Sequence, residues 1–170
     1  MIFDLAKTIL SIIDLASENK SLIPHVKRIN EVMKRIATFG VFDIIHSGHV
    51  KFLERCKNLE KDSKLIVVIS RDKTVLRERE RKPVMTEEER KKIVESLKPV
   101  DEAILGNQGL DKLKIVEQIK PDLIVLGYDQ EWDEKKLEND LRERGVKVKV
   151  IRLKKYGDIN STTIRRKLKF

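Results

Sequence analysis

Arg35-Ile36-Ala37-Thr38-Phe39-Gly40-Val41-Phe42-Asp43-Ile44-Ile45-His46-Ser47-Gly48-His49 is the stretch on which the fold turns. Residues 35–39 are mostly β-branched or apolar and read as a strand. The amphipathic run after Ser47 reads as a helix. His46 and His49 therefore fall at a strand-to-helix turn, where helix-start N–H groups and the positive end of the dipole favour an anion. Such a place suits a phosphate better than a metal ion. The plain alternative is a helix capped by Ser47, with one histidine solvated and the other packed. Gly40 and Gly48 tilt the reading toward a ligand, since glycine lets backbone approach it closely.

Outward from this stretch, strands and helices alternate. Residues 64–70 (KLIVVIS) and 123–127 (LIVLG) are short, continuously apolar runs, as expected of strands buried on both faces. Residues 100–105 and 146–153 are further strands. Helical stretches occupy 49–59, 86–97, 112–119 and 133–144, and another helix follows the strand at 64–70. Thr86 and Glu89 form a capping box, and Gly145 stops the helix before the last strand. Strands joined by helical crossovers imply right-handed βαβ units. The fold class is α/β, a Rossmann-like parallel sheet with helices on both faces. Ligands of such sheets bind beyond the carboxyl ends of the strands, where the opening motif, Arg71-Asp72 and Gly127-Tyr128-Asp129 all fall.

Residues 1–33 differ. Ile2, Leu5, Ile9, Ile12, Ile13 and Ala16 recur at helical spacing, and Pro24 opens a second short helix. This is an N-terminal helical extension, too small for its own core, expected to pack on the main domain (34–170) or on a dimer partner. Asp4, Lys7 and Asp14 interrupt its apolar run, so it reads neither as a signal peptide nor as a membrane span, and a cytoplasmic homodimer is expected.

Composition narrows the function. The chain has 170 residues and one cysteine, which excludes disulfide frameworks and thiolate zinc clusters. Cys56, one turn from Leu53, is expected to pack in the core. Charged residues make up 38% with short loops, a pattern of heat-adapted proteins. The net charge of +9 invites a nucleic-acid reading. Against it, bases and acids are interleaved, as in Arg77-Glu78-Arg79-Glu80-Arg81, and only 5% of residues are aromatic and able to stack bases. Polyphosphate ligands account better for part of the charge. No Walker A loop and no GxGxxG occurs, so phosphate handling falls to histidines, helix starts and basic side chains.

There is also no convincing protein nucleophile. Phosphoryl and nucleotidyl transfer needs little more than positioning and charge stabilisation when the substrate brings its own nucleophile. A phosphate monoester is largely dianionic at neutral pH and can attack a nucleoside triphosphate, expelling pyrophosphate.

The segment from Gly40 to His49, GVFDIIHSGH, resembles the signature of the nucleotidyltransferase superfamily that includes cytidylyltransferases, pantetheine-phosphate adenylyltransferases and archaeal FAD synthases. Val41 replaces the threonine common there. The resemblance implies that His46 and His49 contact the triphosphate, with Val41, Phe42, Asp43, Ser47 and Gly48 in the nucleotide site. It gives Lys82 a phosphate contact, and Arg90 matches the arginine of the EER motif. Ser161, Thr162 and Thr163 are similar to the ISTT element, with Asn160 an insertion, and their hydroxyls would hold phosphate oxygens. Gly127 and Asp129 would meet the base or ribose. A divalent cation, Mg carried by the nucleotide, is implied, with no protein ligands for a metal.

Within the superfamily, Arg71-Asp72-Lys73-Thr74-Val75, Arg81-Lys82-Pro83 and Gly127-Tyr128-Asp129-Gln130 look like archaeal FAD synthases, which would imply ATP and FMN. The Ser161-Thr162-Thr163 ending and Trp132 lean instead toward CTP-dependent glycerol-3-phosphate or phosphoethanolamine cytidylyltransferases. A nucleotide- or nucleic-acid-binding protein on the same fold is the non-enzymatic alternative.

Overall fold

In the computed structural model, which describes residues 33–157 and 161–168, the opening stretch forms β1 (Lys34–Gly40) and its histidines begin α1 (Ser47–Lys57). The chain continues through β2 (Ser63–Ile69), α2 (Asp72–Arg79), α3 (Glu87–Glu95) and β3 (Glu102–Leu105). It then adds α4 (Lys114–Ile119), β4 (Leu123–Leu126), α5 (Glu134–Glu143), β5 (Lys149–Arg152) and α6 (Ser161–Leu168). The helices expected before residue 33, and the packing expected of them, lie outside the described residues.

The five strands are all parallel, in the order β3-β2-β1-β4-β5. Side-chain alternation along the strands divides the interior into two cores. Ile36, Leu123 and Val125 join Leu53 and Cys56 of α1 and Val94 of α3 on one face. Ala37, Ile124 and Leu126 join Val116 of α4 and Leu137 and Leu141 of α5 on the other. The doubly covered, Rossmann-like sheet read from the sequence is the one observed. Thr38 is the buried polar residue of β1, and its hydroxyl donates to the Val125 carbonyl at 2.7 Å, so its burial leaves nothing unpaired.

Element bounds moved by one to three residues. The last strand begins at Lys149 rather than 146, because α5 ends in a Schellman motif there. Gly145, at φ 77°, donates to the Arg142 carbonyl and Val146 to that of Leu141, which ties residue 146 to the helix. The helix cap that the plain alternative gave to Ser47 belongs to His46, whose backbone is extended and whose Nδ1 accepts the Gly48 N–H at 3.2 Å. The capping box of Thr86 and Glu89 forms as read. No helix among the described residues is long and apolar enough to cross a membrane.

Candidate active site

Strand order reverses between β1 and β4, and a crevice of about 1330 Å³ opens beyond their carboxyl ends. His46 and His49 border it, stacked with ring centroids 3.8 Å apart and planes 29° from parallel. The geometry of this pair explains the motif residue by residue. Phe42 adopts a left-handed φ of 51°, a conformation a bulky side chain rarely takes and one that concentrates at functional sites. Its buried ring lies 5.2 Å from that of His49 and props it. A Cβ on Gly40 would come within 2.5 Å of the Phe42 ring, and one on Gly48 within 2.7 Å of the Tyr156 carbonyl. Both glycines line the crevice and also make room for the protein's own ring and carbonyl.

Because His46 Nδ1 accepts a hydrogen bond, its proton sits on Nε2, leaving that N–H as a donor. Burial lowers the His46 pKa. Burial, and secondly the charge of His46, push His49 down to about 4, with the Ile44 carbonyl pulling weakly the other way. At neutral pH both rings are therefore neutral in the unliganded site.

The other expected residues fall into two groups. Val41, Gly48, Lys82, Gly127 and Asp129 border the crevice, as do Ser161, Thr162 and Thr163 at the start of α6. Lys82 is exposed, and Ser161 Oγ donates to the Ile44 carbonyl at 3.4 Å, joining α6 to the opening loop. Ser47 is exposed and does not border the crevice. Asp43 borders it, yet its carboxylate is engaged within the protein. Oδ1 accepts the Val84 and Met85 N–H groups at 2.8 and 3.0 Å, and Oδ2 pairs with Arg165 of α6. One buried carboxylate thus joins the opening loop, the loop carrying Lys82 and α6.

Arg90 departs furthest from expectation. It is 0% exposed and lies behind the crevice wall rather than on it. Nε donates to the Met85 carbonyl at 3.2 Å, Nη1 to Val41 at 2.5 Å, and Nη2 to Ser70 at 2.8 Å and to Asp72 Oδ1 at 2.5 Å. Its planar fork is committed to backbone that carries the site, which leaves it holding loops rather than facing phosphate.

Sequence reasoning missed Arg152, which has no motif to mark it and whose partners are three loop carbonyls and the Glu134 carboxylate. Arg165 likewise has no motif to mark it, yet its side chain is 13% exposed. Tyr128, half exposed on the rim, has Lys155 Nζ 5.9 Å from its ring centroid. Burial, and then the charge of Asp129, raise its hydroxyl pKa, so it remains a donor at neutral pH. Cys56 is buried and its thiol is pushed up to about 12, which excludes it as a nucleophile.

Among known proteins, a family model described as cytidylyltransferase-like matches residues 37–167. A protein named FAD synthase from Aciduliprofundum boonei is 55% identical over 126 residues, spanning 74% of this chain and 82% of that one. Another of that name from Ferroglobus placidus is 50% identical over 126 residues, 74% of this chain and 80% of the relative. The crystal structure of the lipopolysaccharide core biosynthesis protein from Thermoplasma volcanium superposes with a TM-score of 0.68 at 42% identity. It covers 74% of this chain and 99% of that one.

Proposed function

The chain belongs to the cytidylyltransferase-like family and is a nucleotidyltransferase, and we propose that it joins ATP to FMN, giving FAD and pyrophosphate. The single observation behind the chemistry is the stacked histidine pair at the start of α1, in a crevice rimmed by basic side chains. The choice of FMN and ATP rests on relatives named FAD synthase that are 42–55% identical to this chain.

In this reading an oxygen of the FMN phosphate attacks the α-phosphorus of ATP. A new P–O bond forms, the bond from the α-phosphorus to the β-phosphate oxygen breaks, and pyrophosphate leaves with the electron pair. His46 Nε2–H and the first N–H groups of α1 stabilise charge that builds on the phosphates. Since both rings are neutral before substrate arrives, they begin as donors. The arriving polyphosphate raises their pKa values, so anion binding is coupled to proton uptake. Lys82, exposed on the crevice border, brings a positive charge to the phosphates. The hydroxyls of Ser161, Thr162 and Thr163 bind phosphate oxygens, and Asp129 takes hydroxyl or amino donors of a substrate.

Among the described residues no group of three His, Cys, Asp or Glu side chains could hold a metal ion. In this reading a divalent cation arrives with the nucleotide, held by phosphate oxygens and water. A cytoplasmic homodimer remains part of the proposal, with light scattering as its measure.

The deciding experiment offers ATP or CTP with FMN, glycerol 3-phosphate or phosphoethanolamine and follows pyrophosphate release. FAD from ATP and FMN is expected. Turnover of CTP with glycerol 3-phosphate, and none with FMN, would overturn the assignment.

A further inference from the structure

Between β4 and α5 the chain runs through residues 127–132 without helix or strand. A free loop of this length would sample many conformations. Arg152, at the carboxyl end of β5, gathers it from behind. Nη1 donates to the carbonyls of Gly127 and Gln130 at 2.9 and 2.6 Å, and Nη2 donates to that of Trp132. Nε donates to Glu134 Oε1 at 2.8 Å, which fixes the plane of the guanidinium from the first turn of α5. Gln130 braces the loop from within, accepting the Gly127 N–H at 2.6 Å and donating to the Phe39 carbonyl at 3.2 Å.

Three carbonyls of one loop thus converge on one side chain. Only a rigid, multiply donating fork can satisfy them together. Arg152 itself does not border the crevice, whereas Tyr128, Asp129 and Trp132 do. A carboxylate and a half-exposed aromatic ring are suited to hydroxyls, amines and planar rings, and Asp129 repels phosphate. The loop therefore serves the ring and sugar end of a substrate, while the phosphate end lies with the histidines.

We propose that Arg152 is a positioning residue that sets the conformation of residues 127–132, and with it the recognition of the ring-bearing end of one substrate. The proposal deepens the FAD-synthesis reading, and its kinetic half rests on it. Its other half does not, because Trp132 is the single tryptophan of the chain and reports on this loop without any substrate. In Arg152→Met, acrylamide quenching of Trp132 is expected to increase about twofold or more as the loop loosens. KM for either ATP or FMN should rise about tenfold while kcat at saturation stays within about threefold, the loss of one or two hydrogen bonds' worth of preorganisation. Arg152→Lys, which keeps the charge without the fork, should behave nearly as the methionine variant. Glu134→Gln frees the guanidinium plane alone and serves if Arg152→Met fails to fold, with a smaller change in the same direction.

Unchanged quenching in all three variants overturns the positioning role. Looser Trp132 with both KM values unchanged overturns the link to recognition, as does an equal fall in kcat for every substrate. If the parent protein makes no FAD, the functional reading fails by itself, and the quenching result still decides whether Arg152 holds the loop.

Discussion

Replacing Arg90 by methionine separates a catalytic arginine from one that builds the site. The apolar stem of the side chain survives in methionine, so packing in the fully buried position is largely kept. What disappears is a guanidinium that donates to three carbonyls, those of Met85, Val41 and Ser70, and to the Asp72 carboxylate. An orphaned buried acceptor costs about 1–3 kcal/mol, but water can reach Asp72, whose side chain is 40% exposed. Taken together the loss should be about 3–5 kcal/mol, the range for breaking one side of a buried charged pair. At ~2–4 °C per kcal/mol for a chain of this size, the melting temperature should fall by roughly 6–20 °C. Equilibrium unfolding in urea with an unchanged slope, alongside calorimetry, measures it. Arg90→Lys should recover little, since one ammonium cannot span the same acceptors. Turnover should fall as well, because the loops at residues 41–43 and 84–86 lose their tie. A variant that melts within about 1 °C of the parent while kcat collapses would refute this account and restore Arg90 to direct contact with phosphate.

Acidification tests His49. Its pKa is about 4 in the folded protein against 6.5 unfolded, so between those values the unfolded chain binds more protons. Its contribution to stability is complete above pH 6.5 and is lost as pH falls through 4, up to about 3 kcal/mol. His49→Gln should flatten that part of the melting profile and abolish turnover, and an unaltered pH slope would show that the ring is not desolvated. Lys82→Ala should lower kcat about 10²–10³-fold with a melting temperature near that of the parent, read by steady-state kinetics and thermal melts on one preparation. A large drop in melting temperature would mark Lys82 as structural.

The histidines and the sheet were legible for physical reasons. Buried parallel strands leave continuous apolar runs, and a strand-to-helix turn bearing two histidines is a local pattern that the sequence carries whole. The partners of the arginines were not legible, even for Arg90, which the motif had marked. Arg90, Arg152 and Arg165 are three of 37 basic residues, and nothing local says which guanidinium will turn inward. That is decided by carbonyls and a carboxylate delivered from other segments. Ser47, expected in the nucleotide site, does not border the crevice, and His46 caps the helix with its own Nδ1. Helix α2 gave almost no signal, since Val75 is its one buried residue among the eight.

The bond pattern of Asp43 also bears on the order in which the protein matures. Its partners lie at Val84, Met85 and Arg165, and closing such long loops is entropically costly and slow. During synthesis the strand and helix bearing the histidines can form early, yet one carboxylate oxygen has no cation to meet until α6 has been made. A nascent chain holding only the first half therefore carries an unneutralised acid beside the histidines, where an anionic nucleotide would have to bind. The tie between Asp43 and α6 is thus the last of this carboxylate's bonds that the emerging chain can make.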